Sequence, residues 1–217
     1  MKKIITVFFV GMIFILISSS MISLAKNEEG KQDEAKDSPR FKEVILVGEE
    51  KLAEARQLSL DIQQAAVDAE TDEISLGNLL GFTQERADLV YAGALNVDVE
   101  KRITTTQAFE ETAATILPAL GITQNVDLYQ AAISEAFIQL QDQVGNRWFT
   151  ILSNGPNQHT TYTYNMLFLV EKGSLLMALP LILTVDLDAS KEKVLQLRGH
   201  EIFDFKIGLQ GLEIMKM

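Results

Sequence analysis

Tyr162-Thr-Tyr-Asn-Met-Leu-Phe-Leu-Val-Glu171, then Lys172-Gly173-Ser174, then Leu175-Leu-Met-Ala-Leu-Pro-Leu-Ile-Leu-Thr-Val-Asp-Leu187 is the stretch on which the fold turns. Two runs of large apolar and aromatic residues around a short glycine turn spell a β-hairpin. Side chains alternate along a strand, so Met166, Phe168 and Val170 point one way and Leu167 and Leu169 the other. Both faces are therefore apolar, and such a strand must be covered above and below. Each arm also approaches the roughly 9–11 residues that a membrane-crossing β-strand needs. Two readings stay open at this point: the hairpin as the centre of a soluble core, or as a core that can also enter a bilayer.

Working outward, the downstream sequence alternates. Val194–Arg198 and Glu201–Leu209 read as a strand pair around Gly199-His200, with Leu212–Met217 closing the sheet. Phe203, Phe205, Ile207 and Leu209 face in, and Asp204, Lys206, Gly208 and Gln210 face out. Pro180 lacks an N–H, which predicts an edge position or a bulge. Ala189–Lys193 is a helical turn.

Upstream the period is helical. Phe41–Gly48 is a short strand, after which Leu52, Ala55, Leu58, Ile62, Ala65, Ala66 and Ala69 line one face of a helix over Glu49–Glu70. A short helix between Gly77 and Gly81 and another over Thr83–Leu95 follow. Thr104 and Gln107 form a capping box for a helix with Phe109, Ala113, Ile116, Leu117 and Leu120 on one side, a kink expected at Pro118 and a C-terminal cap at Gly121. A further helix starts at Asn125, with Tyr129, Ile133, Phe137, Leu140 and Val144 on one side and Gly145 as its stop. Trp148–Leu152 is a strand and Asn154-Gly155-Pro156-Asn157 a turn. Helices first and strands last give an α+β domain.

At the start, Met1-Lys-Lys3, the apolar run Ile4–Ile17 and the small residues at Ser23-Leu24-Ala25 have the form of a signal peptide cleaved after Ala25. The expected destination is secretion, with an uncleaved anchor as the alternative. Residues 26–40 alternate charges and carry no aromatic or branched aliphatic residue, the composition of a disordered linker. It serves either as a pro-segment cut at Lys31, Lys36 or Arg40, which are expected to be exposed, or as a passive tail. Residues 41–217 form the domain.

The 19 basic and 30 acidic residues give a formal charge of −11, and removing Lys2 and Lys3 gives 17 − 30 = −13. Such a surface repels polyphosphates and anionic membranes, so nucleic acid is excluded and any lipid partner is expected to be zwitterionic. With no cysteine, disulfides and thiolate metal sites are excluded. No GxSxG elbow, phosphate loop or HExxH is present. His159 and His200 read as solvated turn residues, and Asp186 and Asp188 fall short of the 6–8 oxygens that calcium requires. The expectation is a protein that is not an enzyme and uses no cofactor and no metal.

Asn157-Gln-His-Thr-Thr-Tyr-Thr-Tyr-Asn-Met-Leu-Phe168 resembles the corresponding strand of the Cyt-type cytolytic delta-endotoxins. The likeness extends to Ala132–Gln143 with Trp148, to Ile103-Thr-Thr-Thr-Gln107, to Leu120-Gly121, and to Val185–Leu197 and Phe205–Lys216. It implies one three-layer domain, helical hairpins wrapped around a central and largely antiparallel sheet. It also implies a toxin that binds phospholipid, assembles as a homo-oligomer on the membrane and permeabilises it. The residues that would enter the bilayer are then Tyr162, Tyr164, Met166, Leu167, Phe168, Leu169, Val170, Leu175, Leu176, Met177, Leu179, Leu181, Ile182 and Leu183. The alternative is a non-lytic exported lipid- or protein-binding module that keeps the hairpin buried.

Overall fold

The computed structural model describes residues 39–122, 126–153 and 159–217, all within the unit Asp37–Met217. The proposed leader, Ala25, Lys31, Lys36, Asn125 and the turn at 154–157 lie outside them.

The hairpin arms are β4 (Thr160–Lys172) and β5 (Leu175–Leu187), paired without interruption from Thr160↔Leu187 to Lys172↔Leu175. Gly173 has φ +67 between them, the left-handed conformation that a two-residue hairpin turn asks of its first residue. Around this hairpin the six-stranded sheet runs in the order β1-β4-β5-β6-β2. Here β1 is Lys42–Leu46, β2 is Leu89–Thr104 and β6 is Ile202–Lys216. The outer edge of β4 is shared: β1 runs parallel to Met166–Val170, and β3 (Phe149–Ser153) runs antiparallel to Thr160–Tyr164.

Two helical layers cover the sheet. On one side lie α1 (Glu49–Ala65) and α2 (Leu76–Glu85), whose Ala55, Leu58, Ile62 and Leu79 join Phe41, Leu167, Leu169, Leu176, Ala178, Leu212 and Ile214 in one cluster. On the other side lie α3 (Thr105–Leu120) and α4 (Val126–Ser134). Their Ile116, Leu120 and Ile133 meet Tyr162, Met166, Phe168, Leu179, Leu183, Phe205 and Leu209 in a larger cluster. This is the α+β architecture expected: a central, largely antiparallel sheet between helical layers. The α1–α2 layer covers only the half of the sheet nearer the hairpin turn. On the remainder of that face a cross-strand row Thr161, Asp186, Lys206, Glu100 lies open or half-buried.

Several local expectations hold. The capping box at Thr104 and Gln107 is present in both directions, and Gly121 caps α3 with φ +66, donating its N–H to Leu117 and Pro118. Others are corrected. Thr83–Leu95 is not a helix: α2 stops at Glu85 and the chain enters β2 at Leu89. Its Ala and Leu content favoured helix, but β6 offers a full-length antiparallel partner, and strand pairing overrides a weak intrinsic preference. The helix from Asn125 does not reach Gly145. Its described part ends at Ser134, and after a turn the chain reaches Gln139 at φ +58 and a short 3-10 segment, Leu140–Gln143, which leaves Val144 exposed. The helix expected to Glu70 ends at Ala65, where Val67 bridges Ile74 instead.

Val194–Arg198 is not a strand. Ser190 caps α5 (Lys191–Leu195) by accepting from the Lys193 N–H, and β6 is a single strand rather than two. Strands are also not confined to the end of the chain, since β1 and β2 come early. Pro180 lies in an interior strand rather than at an edge. The missing donor is accommodated by a gap: β5–β6 pairs run to Ala178↔Ile214 and resume in the same register at Leu181↔Gly211. Gly211 is required there, because a Cβ would sit 2.4 Å from the Leu181 Cδ2 and 2.8 Å from the Pro180 carbonyl oxygen.

Candidate functional site: the sandwiched hairpin

The alternation read in the sequence sorts the hairpin between the two layers. Tyr162, Tyr164, Met166, Phe168, Val170, Met177, Leu179, Leu181 and Leu183 face α3 and α4, while Leu167, Leu169 and Leu176 face α1 and α2. All of these are buried; Leu175 beside the turn and Ile182 on the half-open face are half-buried. The structure thus brings the candidate residues into one contiguous element.

Two phenols fasten the hairpin to the chain beyond α4. The Tyr162 hydroxyl donates to the Ala136 carbonyl at 2.9 Å, and the Tyr164 hydroxyl to the Gln143 Oε1 at 3.5 Å. Burial pushes both phenols well above the ordinary tyrosine range, so they act as neutral donors throughout the physiological range. Trp148 donates its indole N–H to the same Gln143 oxygen at 3.2 Å. Phe149 lies against both tyrosine rings, with centroids at 5.9 and 6.2 Å. Among the described residues, Asn165 Oδ1 in β4 is the buried side-chain atom left without a hydrogen-bond partner.

Arg40, expected to be exposed as a cleavage point, is engaged instead. Its guanidinium donates to the Asp72 carboxylate and, at 2.6 Å, to the Asp72 carbonyl, and its backbone N–H donates to Gln63 Oε1 at 2.8 Å. The Arg40 side chain is 13% exposed. Arg147 reaches the other Asp72 oxygen at 2.7 Å. Sequence reading missed this clamp because Asp72, at φ +60, and the two arginines are far apart in the chain. A second cluster ties α1 to the segment that enters β2. Arg86 donates to Asp88 at 2.7 Å and to Asp61 at 2.9 Å, holding the Asp88 carboxyl at about 2.

His159 is half-exposed, 3.6 Å from Asp186, and His200 is exposed. Among the described residues, no group of three or more histidines and carboxylates is placed to hold a metal ion, and no helix is long and apolar enough to cross a membrane.

The geometry is that of an apolar hairpin enclosed between helical layers, and a family model described as Bacillus thuringiensis toxin matches residues 31–217. The chain belongs to this Cyt-type toxin family. The activated Cyt2Ba monomer of Bacillus thuringiensis subsp. israelensis superposes with a TM-score of 0.73 at 20% identity, covering 82% of this chain and 97% of that one. A second solved structure, a delta-endotoxin, gives 0.75 at 21% identity, with 92% and 90% covered. At these identities the likeness shows a shared fold. No curated protein sequence matches the chain. The Cyt-type toxins are a cytolytic, non-enzymatic family.

Proposed function

We propose that this Cyt-type chain is exported, binds zwitterionic phospholipid and permeabilises the bilayer by releasing the β4–β5 hairpin from between its helical layers. The single observation that carries this reading is the burial of the hairpin on both faces by separate layers. Each arm has 13 residues, enough for the roughly 9–11 of a spanning strand. The proposed insertion residues are the apolar positions from Tyr162 to Val170 and from Leu175 to Leu183. About a dozen of them are large, and at about 1.5–3 kcal/mol each their exposure to water would cost on the order of 20–35 kcal/mol. That exceeds the roughly 5–15 kcal/mol stability of a typical domain. Release into water is therefore closed, whereas hydrocarbon can replace the helices as cover.

Strand edges left unpaired in hydrocarbon are costly, so strand insertion requires several copies. The charge of −11 favours a neutral headgroup over an anionic one. Proteolytic maturation, if it occurs in the linker, falls at Lys31 or Lys36, because the clamped Arg40 presents no free side chain to a protease.

The test is dye release from phosphatidylcholine vesicles by the chain starting at residue 26, with and without trypsin. Release is expected. A disulfide between α3 and β6, built by replacing Thr112 and Ile207, which line one small gap, is expected to abolish release until it is reduced. Binding to vesicles with no release under any condition would instead favour a non-lytic binding module. Release that ignores the oxidised lock would remove the swing-away step.

A further inference from the structure

The sheet has two very different edges. On the β4 side the edge is divided between a short parallel strand and a short antiparallel one, and Arg40 and Arg147 bind Asp72 from the segments that lead into β1 and β3. Lys42 of β1 further pairs with Glu135. On the far side β2 is one strand of 16 residues, joined only to β6 among the described residues. An open edge of that length offers a row of backbone donors and acceptors to another strand. Its ends are blunted. A bulge interrupts pairing between Tyr91 and Gly93, and Glu100-Lys101-Arg102 charges the other end. The middle, Gly93–Val99, carries no positive charge and no proline.

That middle is self-complementary in one register. Pairing β2 antiparallel to a second β2 through a two-fold axis perpendicular to the sheet keeps like faces together. Centred on Val97, it sets Val97 against itself, Leu95 against Val99, Asn96 against Asp98, Ala94 against Glu100 and Gly93 against Lys101. Leu95, Val97 and Val99 lie on the face packed against the larger core cluster, so apolar residues meet there. On the other face Asn96, Asp98 and Glu100 are exposed. Moving the centre to Asp98 opposes two aspartates, and moving it to Val99 opposes Asp98 and Glu100; like charges directly opposite destabilise a strand pair. Moving it to Asn96 carries Glu100 onto the bulge at Ala92.

We infer that two copies of this chain join antiparallel through β2, centred on Val97, to make a continuous sheet that is the first unit of the membrane assembly. The inference rests on the membrane reading above for its setting, but the contact is measurable by itself. Because the chain has no cysteine, V97C carries a single thiol. On phosphatidylcholine vesicles under mild oxidation it is expected to give a disulfide dimer in good yield. L60C, on the exposed side of α1, reports random collision and is expected to give little.

Two variants at an exposed position spare the fold. N96D places two aspartates opposite Asp98 across the axis and is expected to lower the V97C dimer yield about tenfold, whereas N96K is expected to raise it. A V97C yield equal to that of L60C, or one indifferent to both Asn96 variants, would overturn the pairing. Dye release with no V97C dimer overturns the β2 contact and leaves the lytic reading intact. A V97C dimer without release supports the contact and counts against lysis.

Discussion

The two helical layers hold the same hairpin by different means. The α3–α4 layer meets the broad apolar face, where Ile116, Leu120, Ile133 and Phe137 pack against Tyr162, Met166, Phe168 and Leu179. The α1–α2 layer covers a smaller patch and is bordered by two charge clusters, Arg40, Asp72 and Arg147 in one and Asp61, Arg86 and Asp88 in the other. Exposed ion pairs contribute roughly 0–1 kcal/mol each, whereas a fully buried large side chain contributes about 1.5–3 kcal/mol. Both layers are held by burial, but the α1–α2 cluster is the smaller of the two and its ion pairs add little to it. The α1–α2 layer is thus expected to part first and the α3–α4 layer only once lipid can replace it.

The largest effect should come from breaking the stronger side. Phe137→Ala removes a fully buried ring from the α3–α4 cluster and is expected to cost about 3–5 kcal/mol in denaturant unfolding. Leu58→Ala in α1 is expected to cost about 2–5 kcal/mol, and to do so first as faster amide exchange confined to α1 and α2. Equal loss of protection across both layers would erase the distinction. Asp72→Ala removes the carboxylate that Arg40 and Arg147 share, and a loss of about 1 kcal/mol is expected, together with new tryptic cleavage after Arg40. An unchanged tryptic map would show that the clamp does not shield that bond.

The smallest effect is a pH dependence. The hydrogen bond from Arg86 holds Asp88 at about 2, below the usual 3.8 for aspartate. A depressed carboxyl stabilises the fold above its unfolded value and gives that stability up as pH falls through the folded one. Protection factors of the α2 amides, corrected for the intrinsic pH dependence of exchange, should therefore fall between about pH 4 and pH 2, and Asp88→Asn should flatten that dependence.

How much of this was legible follows from the range of the forces involved. The hairpin, its two faces and its turn are local, periodic features, and Tyr162 to Leu187 declare them directly. The capping box at Thr104 is equally local. What misled were segments decided by distant partners. The start of β2, Leu89–Leu95, looks helical until β6 is there to pair with it, and Pro180 looks like an edge or bulge residue until Gly211 is seen to make room beside it. The clamp on Asp72 has no sequence signal at all, because it depends on where two strand entries and a helix turn converge. Family likeness at the hairpin pointed to the right class because that element is written locally.

The gap at Pro180 bears on how the hairpin could leave. A ladder with every rung in place must be peeled from one end, each step opposed by the next. Between Ala178 and Leu181 the rungs to β6 are already missing, so the seam is two short runs instead of one long one. A tear can start in the middle and spread both ways, and the fold carries that weak point on the side of the hairpin facing its longest neighbour.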